Sequence, residues 1–209
     1  MEFSDLPVNH LEFDGYVTLN GQLCLDRNRK LFYGNPIAPE DAKRLLLVFE
    51  RREMPVMIVE KDRMYLNFVN DAVRRAQADI STPVPETGVY TGEEIYQFIL
   101  YDRGWEADEL VRTLNQSRMI RWHERAVDVI PEKGGKVAGI RRFLEDFSIS
   151  QEEIMAFGDG ENDMDMLKFA RIGIAMGNAD TQVKAIADEV TESVDENGVV
   201  RALYRHGLL

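Results

Sequence analysis

Four carboxylates crowd one short stretch of this chain. Asp159, Glu161, Asp163 and Asp165 fall within Phe-Gly-Asp-Gly-Glu-Asn-Asp-Met-Asp-Met-Leu, residues 157–167. Carboxylates held this close repel one another, and a hard cation with oxygen ligands relieves the repulsion. The alternating acids are also what an EF-hand calcium loop offers. That loop needs glycine at its sixth position and a closing glutamate, where this chain has Met164 and Ala170. A plain N-cap with solvated acids accounts for Asn162 and Asp165, but not for a Gly-Asp-Gly turn carrying four carboxylates. Magnesium is the cation the pattern favours. Asn162 and Asp163 fall near a helix start, where free backbone N–H groups also attract anions.

The surrounding elements can position this cluster. The apolar run 154–157 reads as a strand, and Met164, Leu167 and Phe169 as the start of a helix. Strand, acidic turn and helix start is how α/β sheets present ligands at the carboxyl ends of their strands. Gly160 is expected to permit a turn geometry that a larger residue resists. Residues 171–176 read as a buried strand, 177–180 as a turn and cap, and 181–188 as a helix. Upstream, residues 128–131 end a strand, 132–135 form a loop, and Lys136 opens a helix over 137–147. A lysine at a helix start opposes the macrodipole. Gly135-Lys136 is no Walker loop, because Val137 stands where the hydroxyl residue belongs.

Taken together, residues 131–209 resemble the carboxyl half of a haloacid-dehalogenase-superfamily (HAD) phosphatase of the Cof type. The likeness lies in the order and spacing of Lys136, the Gly-Asp-Gly-Glu-Asn-Asp turn and the strand and helix beyond it. Residues 13–37, FDGYVTLNGQLCLDRNRKLFYGNPI, resemble that family's entry into a type IIB cap. The resemblance implies an α/β fold: an incomplete HAD-like Rossmannoid core, a parallel sheet with helices, plus an inserted α+β type IIB cap. It implies that Lys136 neutralises phosphoryl charge and steadies a nucleophilic aspartate. It assigns Asp159 to the magnesium ion, Asp163 to the support of the metal shell, and Asn162 to a place beside the phosphate. The implied cofactor is Mg2+ and the implied partner a small phosphorylated metabolite. Such roles are coherent, since phosphoryl transfer depends on positioning and on cations that neutralise the transferring group.

The family also uses an Asp-x-Asp-Gly-Thr nucleophile motif and a phosphate-binding Ser or Thr at the next strand's end. Neither pattern is found in these 209 residues. The segment Leu11-Glu12-Phe13-Asp14-Gly15-Tyr16 echoes the first, with Glu12 and Asp14 in the two acid slots, yet Tyr16 stands where threonine belongs. The cap-entry motif accounts for the same stretch, and Asp14 and Gly15 are expected to shape a turn before a core strand. The core is therefore expected to be incomplete, through truncation, a misplaced start or a split protein. Losing two strand–helix units, roughly 60 residues at about 30 each, would leave strand 154–157 with an open edge that invites self-association.

This organisation divides the chain into a residual core strand within 1–20, a cap over 21–129 and the carboxyl half of the core over 130–209. The strand of the first part is expected at 16–19. The cap is expected to hold strands 23–25 and 30–33, a helix over 39–53 with Pro39 in its first turn, and a hairpin of 55–60 with 63–68. Helix 70–78, loop 81–88, strand 95–101, helix 107–115 and strands 119–123 and 126–130 complete it. Arg63, Tyr65, Asn67 and Tyr101 are candidates to face a substrate. Alternation through 63–67 more simply predicts one wet and one buried strand face.

Composition narrows the function. The net charge is −12, with Lys and Arg dispersed, which argues against nucleic acid and anionic membranes as partners. The lone Cys24 excludes an intrachain disulfide and reads as a small buried hydrophobe. No apolar run is long enough to span a membrane and the start is no signal peptide, so a cytoplasmic location is expected. His10, His123 and His206 are scattered, and none sits beside a nucleophile. Three functions remain. The first is a Cof-type phosphatase of small sugar or cofactor phosphates, inactive alone in this chain for want of its nucleophile. The second is a non-catalytic small-molecule binding or regulatory module, and the third is half of a split enzyme assembled with another chain.

Overall fold

The computed structural model describes residues 12–102 and 104–209. His10, Leu11 and most of the stretch 1–20 lie outside the described residues. The chain divides into two units, residues 1–139 and 140–209, and each is described by itself.

In the first unit, strands β1 (Gly15–Thr18), β2 (Leu23–Asp26) and β3 (Leu31–Gly34) form an antiparallel sheet in that order. The carboxylate of Asp26 closes the β2–β3 turn by accepting from the N–H groups of Asn28 and Lys30 at 2.8 and 2.9 Å. The strand expected at 16–19 therefore forms, but it joins this antiparallel sheet rather than the parallel one. Leu19 leaves it, because Leu19, Asn20 and Gly21 all adopt positive φ, at 50°, 53° and 85°. Cys24 is buried, as expected.

A second sheet forms the bulk of the unit. Helix α1 (Pro39–Arg51) starts on the proline and closes at Arg52 in the left-handed region. Strands β4 (Val56–Glu60) and β5 (Met64–Leu66) pair as the expected hairpin. Helix α2 (Asp71–Asp79) is capped by Asn70, whose side-chain oxygen accepts from Ala72 N and Val73 N. Strand β6 (Ile95–Tyr101), helix α3 (Glu106–Arg112) and strands β7 (Ser117–His123) and β8 (Ala126–Pro131) follow. The five strands lie antiparallel in the order β5-β4-β6-β8-β7.

Both faces of this sheet are covered. Leu45 and Phe49 of α1 and Ala107 and Val111 of α3 pack with Val56, Ile58, Phe98, Leu100, Val127 and Val129 on one face. On the other, Ala72, Val73 and Ala76 of α2 pack with Met57, Val59 and Tyr101. Two-sided burial corrects the alternation expected through 63–67: Arg63 and Met64 are exposed, while Tyr65, Leu66 and Asn67 are all buried. Helix α3 also stops three residues short of expectation. The buried carboxylate of Asp41 takes the N–H groups of Asn115 and Gln116 at 3.1 and 2.9 Å and the Ser117 hydroxyl at 2.8 Å.

Helix α4 (Lys136–Phe147) begins in the first unit and ends in the second. The second unit holds β9 (Met155–Gly158), α5 (Met164–Phe169), β10 (Ile172–Ala175), α6 (Thr181–Ile186), β11 (Glu189–Val190) and α7 (Gly198–Arg205). Its sheet is parallel, in the order β11-β10-β9, so among the described residues β9 is an edge. Ala156, Leu167, Ala175 and Val183 form the core. Gly173 is required by close approach, since a Cβ there would lie 2.2 Å from the Leu167 carbonyl oxygen. Helix α6 ends early because Asp188 turns back onto β10, exchanging hydrogen bonds with Gly173 through its N–H and its carboxylate, both at 2.8 Å. The α/β class is as the sequence predicts. No helix among the described residues is long and apolar enough to cross a membrane.

Candidate active site

Strand β9 ends at Gly158, and the acidic turn begins at once. Asp159 is exposed at the carboxyl end of the strand, and a short 3-10 turn (Glu161–Asp163) leads into α5. Asp163 folds back under this turn. Its Oδ2 accepts from the backbone N–H groups of Asp159 and Gly160, both at 3.1 Å, and the residue is 7% exposed. A buried carboxylate thus fixes the backbone that carries an exposed one.

Of the two glycines beside this closure, Gly158 serves it by leaving space. A Cβ on Gly158 would lie 2.5 Å from the Asp163 Cβ, and one on Gly160 would lie 2.6 Å from the Asn162 Oδ1. Gly160 itself has φ −98° and ψ 161°, a conformation open to any residue. The turn geometry expected to require glycine there is therefore an ordinary one, and the near atom is the tip of the exposed Asn162 side chain, which can turn aside.

Asp159 has a partner that the sequence reading missed. Asn178, in the turn after β10, donates its amide to Asp159 Oδ2 at 2.7 Å and accepts from Val194 N at 3.2 Å. The parallel pairing that sets Ala175 opposite Gly158 brings the turns after the two strands together. Residues 177–180, read from sequence as a turn and cap, supply no side-chain cap through Asp180, and their polar residue acts on Asp159 instead.

Asp159, Asn162 and Asp163 therefore share one turn, with Asn162 exposed. Lys136 stands at the first position of α4, within the first unit. The helix start it occupies is closely packed: Arg118 donates to Gly134 O at 3.0 Å, and a Cβ on Gly139 would lie 2.7 Å from Gly21 Cα.

The remaining candidates have structural partners. Tyr65 donates to Glu60 at 2.7 Å, Arg63 pairs with the same buried carboxylate, and its guanidinium lies 4.7 Å from the Tyr65 ring centroid. Burial and that bond raise the Tyr65 phenol well above its ordinary value. Asn67 accepts from Val56 N and Phe68 N and donates to the carbonyls of Phe49 and Met54. Tyr101 is fully buried and accepts from Gln77 at 2.8 Å. Three of the four candidates to face a substrate are thus interior, and of the four only Arg63 reaches solvent. Asp14 of the nucleophile lookalike is exposed and ion-paired with Arg27. His123 and His206 pair with Asp79 and Glu189.

Residues 3–203 match the model of the haloacid dehalogenase-like hydrolases. The chain belongs to that family. Among its relatives is the candidate phosphatase YkrA of Bacillus subtilis, 33% identical over 205 residues, which are 97% of this chain and 79% of YkrA. Of solved HAD structures, BT1666 of Bacteroides thetaiotaomicron superposes with a TM-score of 0.85 at 28% identity, covering 97% of this chain and 77% of that one. The subclass IIB sugar phosphatase BT4131 superposes with a TM-score of 0.80 at 31% identity, covering 94% and 77%. The Cof-type resemblance read from Lys136 and the acidic turn is in accord with these matches.

As a HAD site, the acidic turn offers a donor set suited to magnesium. This ion keeps several waters and binds proteins through one or two carboxylates together with substrate phosphate. Asp159 supplies one exposed carboxylate with its orientation set by Asn178. Asp163, with Oδ2 committed to two N–H groups, serves the turn. No cluster of three or more His, Cys, Asp or Glu side chains placed to hold a metal occurs among the described residues.

Proposed function

We propose that this chain carries the magnesium and phosphate side of a phosphatase acting on small phosphate esters, of the sugar or cofactor phosphate class. The observation that carries the reading is the carboxylate pair: buried Asp163 fixes the backbone of exposed Asp159, whose side chain Asn178 orients. In this reading Asp159 is the metal ligand, Asp163 holds it in place, Asn162 stands beside the phosphate, and Lys136 neutralises phosphoryl charge. The bound ion would neutralise the transferring group as charge shifts to the leaving oxygen. BT4131, named a sugar phosphatase, supports the substrate class. Residues 21–129 take the part of the specificity cap, on the likeness to that subclass IIB protein.

Because no Asp-x-Asp-Gly-Thr motif is present in the sequence, the chain by itself binds Mg2+ without turning over phosphate esters. Calorimetric titration with MgCl2 should give a saturable signal that Asp159→Ala removes, alongside no release of p-nitrophenol from its phosphate ester. Absence of Mg2+ binding would overturn the metal assignment. Turnover abolished by Asp159→Ala would overturn the inactivity and place a nucleophile in this chain.

A further inference from the structure

The first unit buries an acid that the proposed chemistry does not use. Asp128 lies in β8, 9% exposed, opposite Ile99 of β6 and Ile120 of β7. Strand alternation puts Gln97 and Trp122 on the same sheet face. The Trp122 indole N–H donates to Asp128 Oδ1 at 2.8 Å, and the Asn20 amide donates to Oδ2 at 2.8 Å and to Gln97 Oε1 at 3.1 Å. An aspartate is thus spent on fixing one asparagine in a loop more than a hundred residues away.

That asparagine sits at a strained place. Leu19, Asn20 and Gly21 are three successive residues in the left-handed region, a run that L-residues resist and that persists only where surroundings over-determine it. Gln22, fully buried, adds a bond from its Nε2 to the Asn20 carbonyl at 3.1 Å. The turn then packs directly on the helix start that carries Lys136. A Cβ on Gly21 would lie 2.2 Å from the Gly135 carbonyl oxygen, and one on Gly139 would lie 2.7 Å from Gly21 Cα and O. No side chain separates the two backbones, so a shift of the turn must shift the first turn of α4.

We propose that Asp128 is a positioning residue: through Asn20 it holds the left-handed Leu19–Gly21 turn against the start of α4, and so sets the placement and electrostatic surroundings of Lys136. Among the described residues, the titratable groups that interact with it are Lys136 from α4, whose charge stabilises the carboxylate, and the buried Tyr101 from β6; Asn20, Gln97 and Trp122 are neutral. The significance for phosphate binding rests on the reading of Lys136 given above.

The test uses the full chain. Trp105 is 62% exposed, so Trp105→Phe leaves Trp122 as the sole indole reporter. In that background Trp122 emission should change with pH around the Asp128 titration, and Asp128→Asn should flatten the curve. Inorganic phosphate affinity should fall about tenfold in Asp128→Asn and in Asn20→Ala, with the double variant no worse than either single one, since both break one device. Asn20→Gly, which tolerates the left-handed backbone, should retain more affinity than Asn20→Ala. Additive losses in the double variant, or an unchanged Trp122 curve in Asp128→Asn, overturn the proposal. The phosphate reading is judged separately, by Lys136→Ala. If that variant leaves phosphate binding unchanged, the reading fails, and Asp128 is then judged by acetic anhydride labelling of Lys136 read by mass spectrometry. A threefold or larger change in labelling rate in both Asp128→Asn and Asn20→Ala sustains the positioning role, and equal rates refute it.

Discussion

Asn178 donates its side-chain amide to Asp159 at 2.7 Å, while its own carbonyl oxygen accepts from Val194 N. One small side chain thereby ties the proposed magnesium ligand to the loop beyond β11. Groups that orient metal ligands commonly matter tenfold or more in affinity. Asn178→Ala is expected to weaken Mg2+ binding about tenfold with little change in folding. Calorimetric titration of the variant checks it, and an unchanged affinity would separate Asn178 from the metal.

Asp163 is expected to behave differently from Asp159. Its replacement by Ala leaves two N–H groups of the turn without their acceptor, at a cost of about 2 kcal/mol, and should also lower Mg2+ affinity. Asp159→Ala exposes no such debt, because Asp159 is at the surface, and should leave stability nearly unchanged. Urea unfolding of the two variants distinguishes them. Gly158→Ala is expected to resemble Asp163→Ala, since the added methyl would overlap the Asp163 side chain.

Asn67 is a structural residue of the first unit. It satisfies the carbonyls of Phe49 and Met54 and the N–H groups of Val56 and Phe68. Asn67→Ala removes all four contacts in a buried place and should cost about 3 kcal/mol. A ligand-facing role predicts the reverse pattern, weak effects on the urea midpoint and strong effects on binding.

The pH dependence of stability should carry a mark of Asp128. Burial pushes its carboxyl up from 3.8 to about 6, against the bonds from Asn20 and Trp122, the contact with Gln97, and the charge of Lys136. A folded-state value above the unfolded one means that its contribution is present below about pH 4 and lost as pH rises through 6. The wild type should therefore lose up to roughly 3 kcal/mol relative to Asp128→Asn between pH 4 and 7.5. Urea midpoints of both proteins at the two pH values test this, and a constant difference between them would refute it.

Much of this was legible in the order of residues. The hairpins, the helix opening at Pro39 and the strand–turn–helix around Asp159 follow from apolar periodicity and from Gly and Pro placement, which act over a few residues. The place of Asp163 at a helix start was legible too, whereas its bonds to the Asp159 and Gly160 N–H groups were not read from the sequence. The failures share a cause. Alternation through 63–67 predicted one wet strand face, and only α1, α2 and α3 covering both sides of the sheet makes Tyr65, Leu66 and Asn67 all interior. The strand expected at 16–19 was read as a residual core strand, and it pairs with the neighbouring β2.

The sequence by itself determined the family, the acidic turn with its glycines, and the placing of Lys136 at a helix start, since each is written within a short local run. Tertiary structure alone decided that Asn178 reaches Asp159 and that Asp128 secures Asn20. Those pairs lie 19 and 108 residues apart, and only strand pairing, which no local pattern encodes, brings their side chains within hydrogen-bond distance.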